Sequence, residues 1–373
     1  MNILYISKID GRPWIGPTYS VPKQIAGQSL YDNVFWYNVC DEVQPEGLEN
    51  ITRWRNIEYY ADLTDYPSGS LRSLPVPFCD PDLIVVEQGY PFATSPIRKE
   101  VQNSNIPYIV IPRGELTDSA QSKKWMKKTV GNIVLGYPRF MRNALAIHCL
   151  TEQEKKETSD SWNSLKIVIP NGTEIPDINI ERKRNEYICC VSIGRLEPYQ
   201  KGLDLLVYSC AAIKKHLEEA KVIIKLYGSD MEHKLDGIRQ EVQSLGLSHI
   251  ISFEDAVFGS EKETVLLNND IFLMPSRFEG HPTGLLEALA YGLPCVATTG
   301  SNMRKEIEVA DAGWTADNDA ESIKDALLAM IADKDRFEDK GRNARNLAKK
   351  YDWNAIAKKT HDVYENLLKG KNQ

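Results

Sequence analysis

Short apolar runs rich in Ile, Val and Tyr alternate with helix-period segments along this chain, and the alternation runs through twice. A strand that is apolar at almost every position must be covered on both faces, which restricts the fold to βαβ units around buried parallel sheets. The first round predicts strands over Asn2–Ser7, Asn33–Cys40, Asp82–Glu87, Tyr108–Pro112, Ala146–Leu150 and Lys166–Pro170, with helices over Tyr19–Leu30 and Ser122–Arg142. The second predicts strands over Tyr187–Ile193, Val222–Tyr227, Ile250–Phe253, Ile271–Pro275 and Pro294–Thr298, separated by helices over Leu203–His216, Lys234–Leu245, Lys262–Asn268 and Gly284–Tyr291. A helix near Glu321–Ala332 and a terminal amphipathic helix over Tyr351–Leu368 follow.

Two such rounds in 373 residues fit two doubly wound domains. The polar stretch Glu174–Glu186 reads as the linker, giving a first domain over 1–175 and a second over 183–352. Facing each other, they would place a cleft between their strand C-termini, where open α/β sheets bind ligands. With 42% hydrophobic and 26% charged residues the chain is neither disordered nor a disulfide scaffold, and its net charge of −7 argues against a dedicated nucleic-acid binder. The seven cysteines (Cys40, Cys79, Cys149, Cys189, Cys190, Cys210, Cys295) show no metal-ligand spacing and read as reduced thiols of a cytoplasmic protein. Met1–Ser7 lacks the basic start of a signal peptide, and no window reaches the ~18 apolar residues of a membrane span, so membrane contact would be peripheral.

The densest chemical signal runs from Ile271 to Pro294: strand, loop, helix, then Gly292 as a left-handed cap. The helix should begin near Thr283, where unpaired N–H groups and the aligned dipoles make an anion site at the strand edge. Glu279 stands in the loop before that terminus and Glu287 inside the helix, so the pair can bracket a phosphate-bearing ligand; taken singly they are also an ordinary loop acid and a helix-favouring glutamate. A second strand-to-helix loop, Val191–Leu203, carries Arg195 and Lys201, two cations suited to a diphosphate if they are not simply solvated.

Gly194-Arg195-Leu196 with Lys201-Gly202-Leu203, followed by Pro275-Ser276 and Glu279-x7-Glu287, resembles the retaining GT-B glycosyltransferases of family 4, the glycosyl transferases group 1. Val168-Ile169-Pro170-Asn171-Gly172 resembles the family's IPNG segment, and Tyr351-Asp352-Trp353 the start of its terminal helix. The resemblance implies a GT-B α/β fold: two Rossmann-like domains facing a central cleft, with a helix over 353–373 crossing back to complete the first, acceptor-binding domain. Arg195 and Lys201 would hold the donor diphosphate, Glu279 would contact the transferred sugar and Glu287 the ribose. The N–H groups of Thr283, Gly284, Leu285 and Leu286 would complete the phosphate cradle, and His281 could touch the sugar.

In the first domain Gly11–Thr18 stands where the family has a glycine-rich loop, with Gly16 the candidate for close approach to donor or acceptor. It has the first spacing of a P-loop without the Lys and Ser/Thr that follow, which rejects an NTPase. Arg113 occupies the place of the family's histidine; an arginine is no general base at neutral pH, so it would bind phosphate or a substrate carboxylate, or form a salt bridge at the domain rim. With Asn171 it is a cleft candidate. Asp80-Pro81-Asp82 and Asp317-Asn318-Asp319 have the spacing of a metal-binding DxD, but the first opens a strand and the second lies in a polar loop, and GT-B enzymes neutralise the leaving diphosphate without metal. The histidines (His148, His216, His233, His249, His281, His361) show no paired metal spacing.

No acidic residue occurs from Ser119 to Thr151, while Lys123, Lys124, Lys127, Lys128, Arg139 and Arg142 fall there beside apolar residues. A helix over 122–142 would suit the surface of an anionic membrane, or would pack its apolar face on the domain core and leave the lysines solvated. The expectation is thus a metal-independent, cofactor-free transferase on the cytoplasmic side of the plasma membrane. It would move sugar from a UDP- or GDP-linked donor to a saccharide or lipid-linked acceptor with retention, in surface polysaccharide assembly. A non-catalytic sugar-nucleotide-binding partner and a GT-B epimerase or phosphorylase are the alternatives.

Overall fold

A computed structural model describes residues 1–122, 135–178, 186–230 and 234–371. The chain forms two compact units, Met1–Gly172 with Trp353–Gln373 and Thr173–Asp352. The first is built on β1 (Asn2–Ser7), β2 (Asn33–Asn38), β3 (Tyr60–Asp62), β4 (Leu83–Glu87), β5 (Tyr108–Ile111), β6 (Ala146–Cys149) and β7 (Lys166–Val168). They form one parallel sheet in the order β3-β2-β1-β4-β5-β6-β7.

The second unit repeats the plan with β8 (Ile188–Ile193), β9 (Val222–Tyr227), β10 (Ile251–Glu254), β11 (Ile271–Met274), β12 (Cys295–Thr298) and β13 (Gly313–Ala316), again parallel, in the order β10-β9-β8-β11-β12-β13. The order reverses between β1 and β4 in one sheet and between β8 and β11 in the other, the positions where doubly wound sheets bind ligands.

Each sheet is covered on both faces, as the apolar runs require. Leu4 and Ile6 enter one core and Ile3 and Tyr5 the other; Ile271 and Leu273 enter one core of the second unit, Phe272 and Met274 the other. The C-terminal helix Trp353–Lys371 belongs to the first unit, where it packs on the helix Pro17–Gln28: Gly27 would bring a Cβ to 3.1 Å from the Ala357 Cβ, and Tyr364 is fully buried.

Several elements differ from expectation for local reasons. The helix expected over Leu203–His216 breaks at Ile213, whose φ of −120° ends Leu203–Ala212 before Lys214–Glu219 begins. The helix expected over Ser122–Arg142 is not continuous: Gly136 takes a left-handed φ of 64° and Tyr137–Asn143 starts afresh. Tyr137, Phe140 and Met141 are buried in the first unit's core, so they offer nothing to a membrane; Arg139 and Arg142 are exposed, and the four lysines lie outside the described residues. The residues after Gly172 belong to the second unit, where Arg345 donates to the carbonyls of Pro176 and Ile178 at 2.5 and 2.9 Å. Among the described residues no helix is long and apolar enough to cross a membrane.

Candidate functional site

In the second unit the ends of β8 and β11 carry the two loops that the motifs single out. Gly202 starts the helix Leu203–Ala212 at a left-handed φ of 62°, and a Cβ there would collide with the Pro275 carbonyl. This close approach sets Lys201 beside the Glu279 loop. Lys201 Nζ donates to Glu279 Oε1 at 2.7 Å, and the buried Ser276 hydroxyl donates to the same oxygen at 2.6 Å. Glu279 is therefore held through Oε1, with Oε2 outside that pairing.

The loops are tied further by Arg277, whose guanidinium takes Asp204 in a bidentate pair at 2.7 Å and lies 4.5 Å from the Tyr199 ring centroid. Arg195 is exposed and bonded only loosely, to Gln200 Oε1 at 3.3 Å, which leaves its guanidinium available to an anion. Ser192, Gly194, Arg195, Lys201 and Ser276 line one concavity at this edge.

The helix Thr283–Ala290 opens directly after the Glu279 loop and ends on Gly292, whose φ of 68° is the left-handed cap expected. Gly284 allows its first turn to approach the end of β8, where a Cβ would stand 3.2 Å from the Ile193 carbonyl. The four-donor cradle is corrected here: Leu285 and Leu286 both donate to Pro282 O at 3.1 Å and their side chains are fully buried, so the helix leaves open only the donors of Thr283 and Gly284. Glu287, one turn in, accepts from Lys262 Nζ at 2.9 Å. His281 packs its ring 5.6 Å from Tyr351, and burial pushes its pKa down to about 3, so the imidazole is neutral.

The other candidates belong to the first unit. Arg113 sits at a left-handed φ of 52° after β5, almost fully buried against the fully buried Glu87 of β4. Its Nε and Nη2 both meet Glu87 Oε2 at 2.9 Å, Nη2 also reaches Gln24 Oε1 at 2.9 Å, and Nη1 takes Ser20 Oγ at 3.1 Å and Asn171 Oδ1 at 3.2 Å. Four hydrogen bonds and the ion pair to Glu87 hold the guanidinium inside the first unit, so of the two readings of Arg113 the salt bridge is the one the structure shows, made internally to Glu87. Asn171 joins this arrangement through its Oδ1. Burial pushes the Glu87 carboxyl up, opposed by the Arg113 charge. Gly16 caps the helix Pro17–Gln28, and a Cβ there would meet nothing within 4 Å in the protein.

The two DxD segments are used structurally. Asp82 Oδ2 accepts the Asn2 N–H at 2.7 Å, and Asp319 caps the helix Ala320–Ala332 through the Ser322 N–H at 2.8 Å. Among the described residues no cluster of His, Cys, Asp and Glu could hold a metal ion. The residues that sequence reasoning missed are Lys262, Arg277, Gln24 and Glu87; each acts through a partner distant in the chain, which leaves no local spacing to find.

The family model of the glycosyl transferases group 1 matches residues 174–366, more than half of the chain. The chain belongs to the glycosyl transferases group 1. Among curated relatives of this group-1 chain are an uncharacterized glycosyltransferase of Methanocaldococcus jannaschii, 30% identical over 176 residues (46% of this chain, 43% of that protein), and a putative colanic acid biosynthesis glycosyltransferase of Salmonella typhimurium, 29% identical over 155 residues (40% and 36%). The chain spans about half the length of the curated relatives it matches. The structure of Anabaena Alr3699/HepE in complex with UDP-glucose shares the two-domain GT-B fold with a TM-score of 0.72 at 15% identity, over 98% of this chain and 100% of that one.

Proposed function

We propose that this group-1 chain is a retaining glycosyltransferase that takes a sugar from a UDP- or GDP-linked donor and passes it to an acceptor hydroxyl as an α-glycoside. The observation that carries this is the Lys201–Glu279–Ser276 arrangement at the β8 and β11 ends, beside the open N-terminus of Thr283–Ala290 and the exposed Arg195. Arg195, Lys201 and the helix terminus meet the charge that develops on a departing diphosphate, which is electrostatic stabilisation by preorganised donors without need of a metal. Glu279 faces the transferred sugar, Glu287 the ribose, and His281 stays neutral beside them.

Glu279 already carries an ion pair and a hydroxyl donor on Oε1, which draw negative charge from the carboxylate and lower its nucleophilicity. Attack from the front face, with the leaving phosphate oxygen accepting the acceptor's proton, is the step that these residues favour. The first unit, with its closing C-terminal helix, recognises the acceptor. The Salmonella relative supports a role in surface polysaccharide assembly, and the binding of UDP-glucose by the Anabaena protein supports a nucleotide-sugar donor. This setting is cytoplasmic, with lipid-linked acceptors at the inner face of the membrane; Arg139, Arg142 and the lysines at 123, 124, 127 and 128 would meet anionic lipid there.

Incubation with a panel of nucleotide sugars and saccharide acceptors, with products read by mass spectrometry, tests the assignment. Arg195→Ala and Lys201→Ala should each lower turnover by about 100-fold, the cost of one preorganised charge-stabilising donor. Near wild-type transfer by both variants would remove it.

A further inference from the structure

Five consecutive main-chain carbonyls in the loop that presents Glu279 each accept a hydrogen bond from a side chain outside that loop. Thr298 Oγ1 donates to Ser276 O at 2.5 Å, Asn318 Nδ2 to Arg277 O at 3.0 Å and Gln200 Nε2 to Phe278 O at 3.4 Å. Asn302 Nδ2 donates to both Glu279 O, at 2.5 Å, and Gly280 O, at 3.1 Å. The segment is neither helix nor strand, so these side chains replace the ladder that would otherwise fix its peptide planes.

Asn302 stands out within the set because it holds two consecutive peptide units, the one that follows Glu279 and the one that follows Gly280. Its own backbone is left-handed, φ 58° and ψ 19°, at the end of the short turn Thr299–Ser301, and its N–H donates to Thr299 O at 3.1 Å. Glycine adopts that conformation at no steric cost, and asparagine is among the few other residues that tolerate it. Of these two only asparagine brings a carboxamide that can reach the neighbouring carbonyls.

We propose that Asn302 is a positioning residue for Glu279: its carboxamide locks the Glu279 and Gly280 peptides and so holds the Glu279 carboxylate where the transferred sugar must stand. The inference rests on Glu279 facing that sugar. Its main consequence falls on the sugar, because Arg195, Glu287 and the helix terminus lie outside the locked peptides; Lys201, which pairs with Glu279, is the diphosphate contact it can reach.

Asn302→Gly keeps the left-handed backbone and deletes both hydrogen bonds; Asn302→Asp keeps the shape and sets a carboxylate against two carbonyls. Calorimetry with UDP, GDP and the matching nucleotide sugars, thermal unfolding and donor turnover should be measured on both variants and the wild type. Asn302→Gly should bind the free nucleotide within about twofold of wild type, lose the added affinity that the sugar contributes, and turn over on the order of tenfold more slowly, the scale expected when a reacting group is slightly misplaced. Asn302→Asp should lose more. Unchanged turnover in Asn302→Gly overturns the inference, and so does a parallel fall of free-nucleotide affinity and turnover, which would mark a merely structural role. A wild-type chain that binds no nucleotide sugar overturns the donor assignment and this inference with it, whereas a wild type that binds and turns over beside an unaltered Asn302→Gly overturns this inference alone.

Discussion

Arg113 and Glu87 show how a charged pair can be buried at the C-terminal ends of neighbouring strands and engaged within the protein. Glu87 is fully buried, its pKa is raised by that burial, and the Arg113 guanidinium is the charge that opposes the rise. Breaking a buried pair from one side leaves an uncompensated charge, so Arg113→Met should lower stability in urea unfolding at pH 7.5 by about 3–5 kcal/mol. Arg113→Lys keeps the charge but supplies three donors from a single nitrogen where the guanidinium makes four hydrogen bonds, and should recover only part of the loss. The pH dependence carries a sign. Without Arg113 the folded-state pKa of Glu87 rises further above its unfolded value, so the stability tied to this carboxyl is present at low pH and lost as pH rises. Arg113→Met should therefore regain stability relative to wild type between pH 7.5 and 5; a constant difference between the two proteins over that range would show that Glu87 is not the group left unpaired.

At the scale of elements, the loops at the β8 and β11 ends depend on one residue of special backbone. Gly202 combines a φ of 62° with contact so close to the Pro275 carbonyl that no Cβ fits. Gly202→Ala must push the Lys201 loop off the Glu279 loop; it should cost about 1–3 kcal/mol of stability and weaken nucleotide binding, measured by denaturation and calorimetry on the same protein. Features of this local kind were legible in the sequence: the Gly292 cap, the start of the helix at Thr283 and the strands apolar on both faces all leave their mark within a few residues. The edge strands β3 and β13 were not legible, because Tyr60–Asp62 is only three residues long and the pattern of Gly313–Ala316 is half-buried. The break at Ile213 was invisible because the apolar period continues across it. Pairings such as Lys262 with Glu287, or Arg113 with Ser20, Gln24, Glu87 and Asn171, are made by the fold between distant segments. Sequence therefore pointed to Lys201 and Glu279 as site residues, whereas the internal partners of Arg113 emerged only from its neighbours.

For the molecule as a whole, a histidine kept neutral by burial in each unit, His148 and His281, sets an acid limit that the net charge does not reveal. His148 lies under the C-terminal helix, with Nδ1 2.8 Å from the Tyr364 hydroxyl and Nε2 2.8 Å from the Ile169 carbonyl. One neutral tautomer satisfies both contacts: Nε2–H donates to the carbonyl and Nδ1 accepts from the hydroxyl. Burial pushes the His148 pKa from 6.5 to about 4, and that of His281 in the second unit to about 3. A depressed folded-state pKa means that the unfolded chain takes up the proton first, so the stability tied to each ring is complete above pH 6.5 and falls as pH drops towards the folded value. For His148 the loss between pH 7.5 and 5 comes to about 2 kcal/mol, in a range where ordinary carboxylates are still largely ionised. Trp314 is the only tryptophan in residues 173–352, so Trp314→Phe leaves tryptophan fluorescence reporting the first unit alone. On that background the first-unit urea transition should lose about 2 kcal/mol from pH 7.5 to 5, and His148→Asn should be less stable at pH 7.5 yet nearly flat over the interval. A slope that survives His148→Asn would place the acid-sensitive group elsewhere in that unit and leave Tyr364 and the C-terminal helix without a part in it.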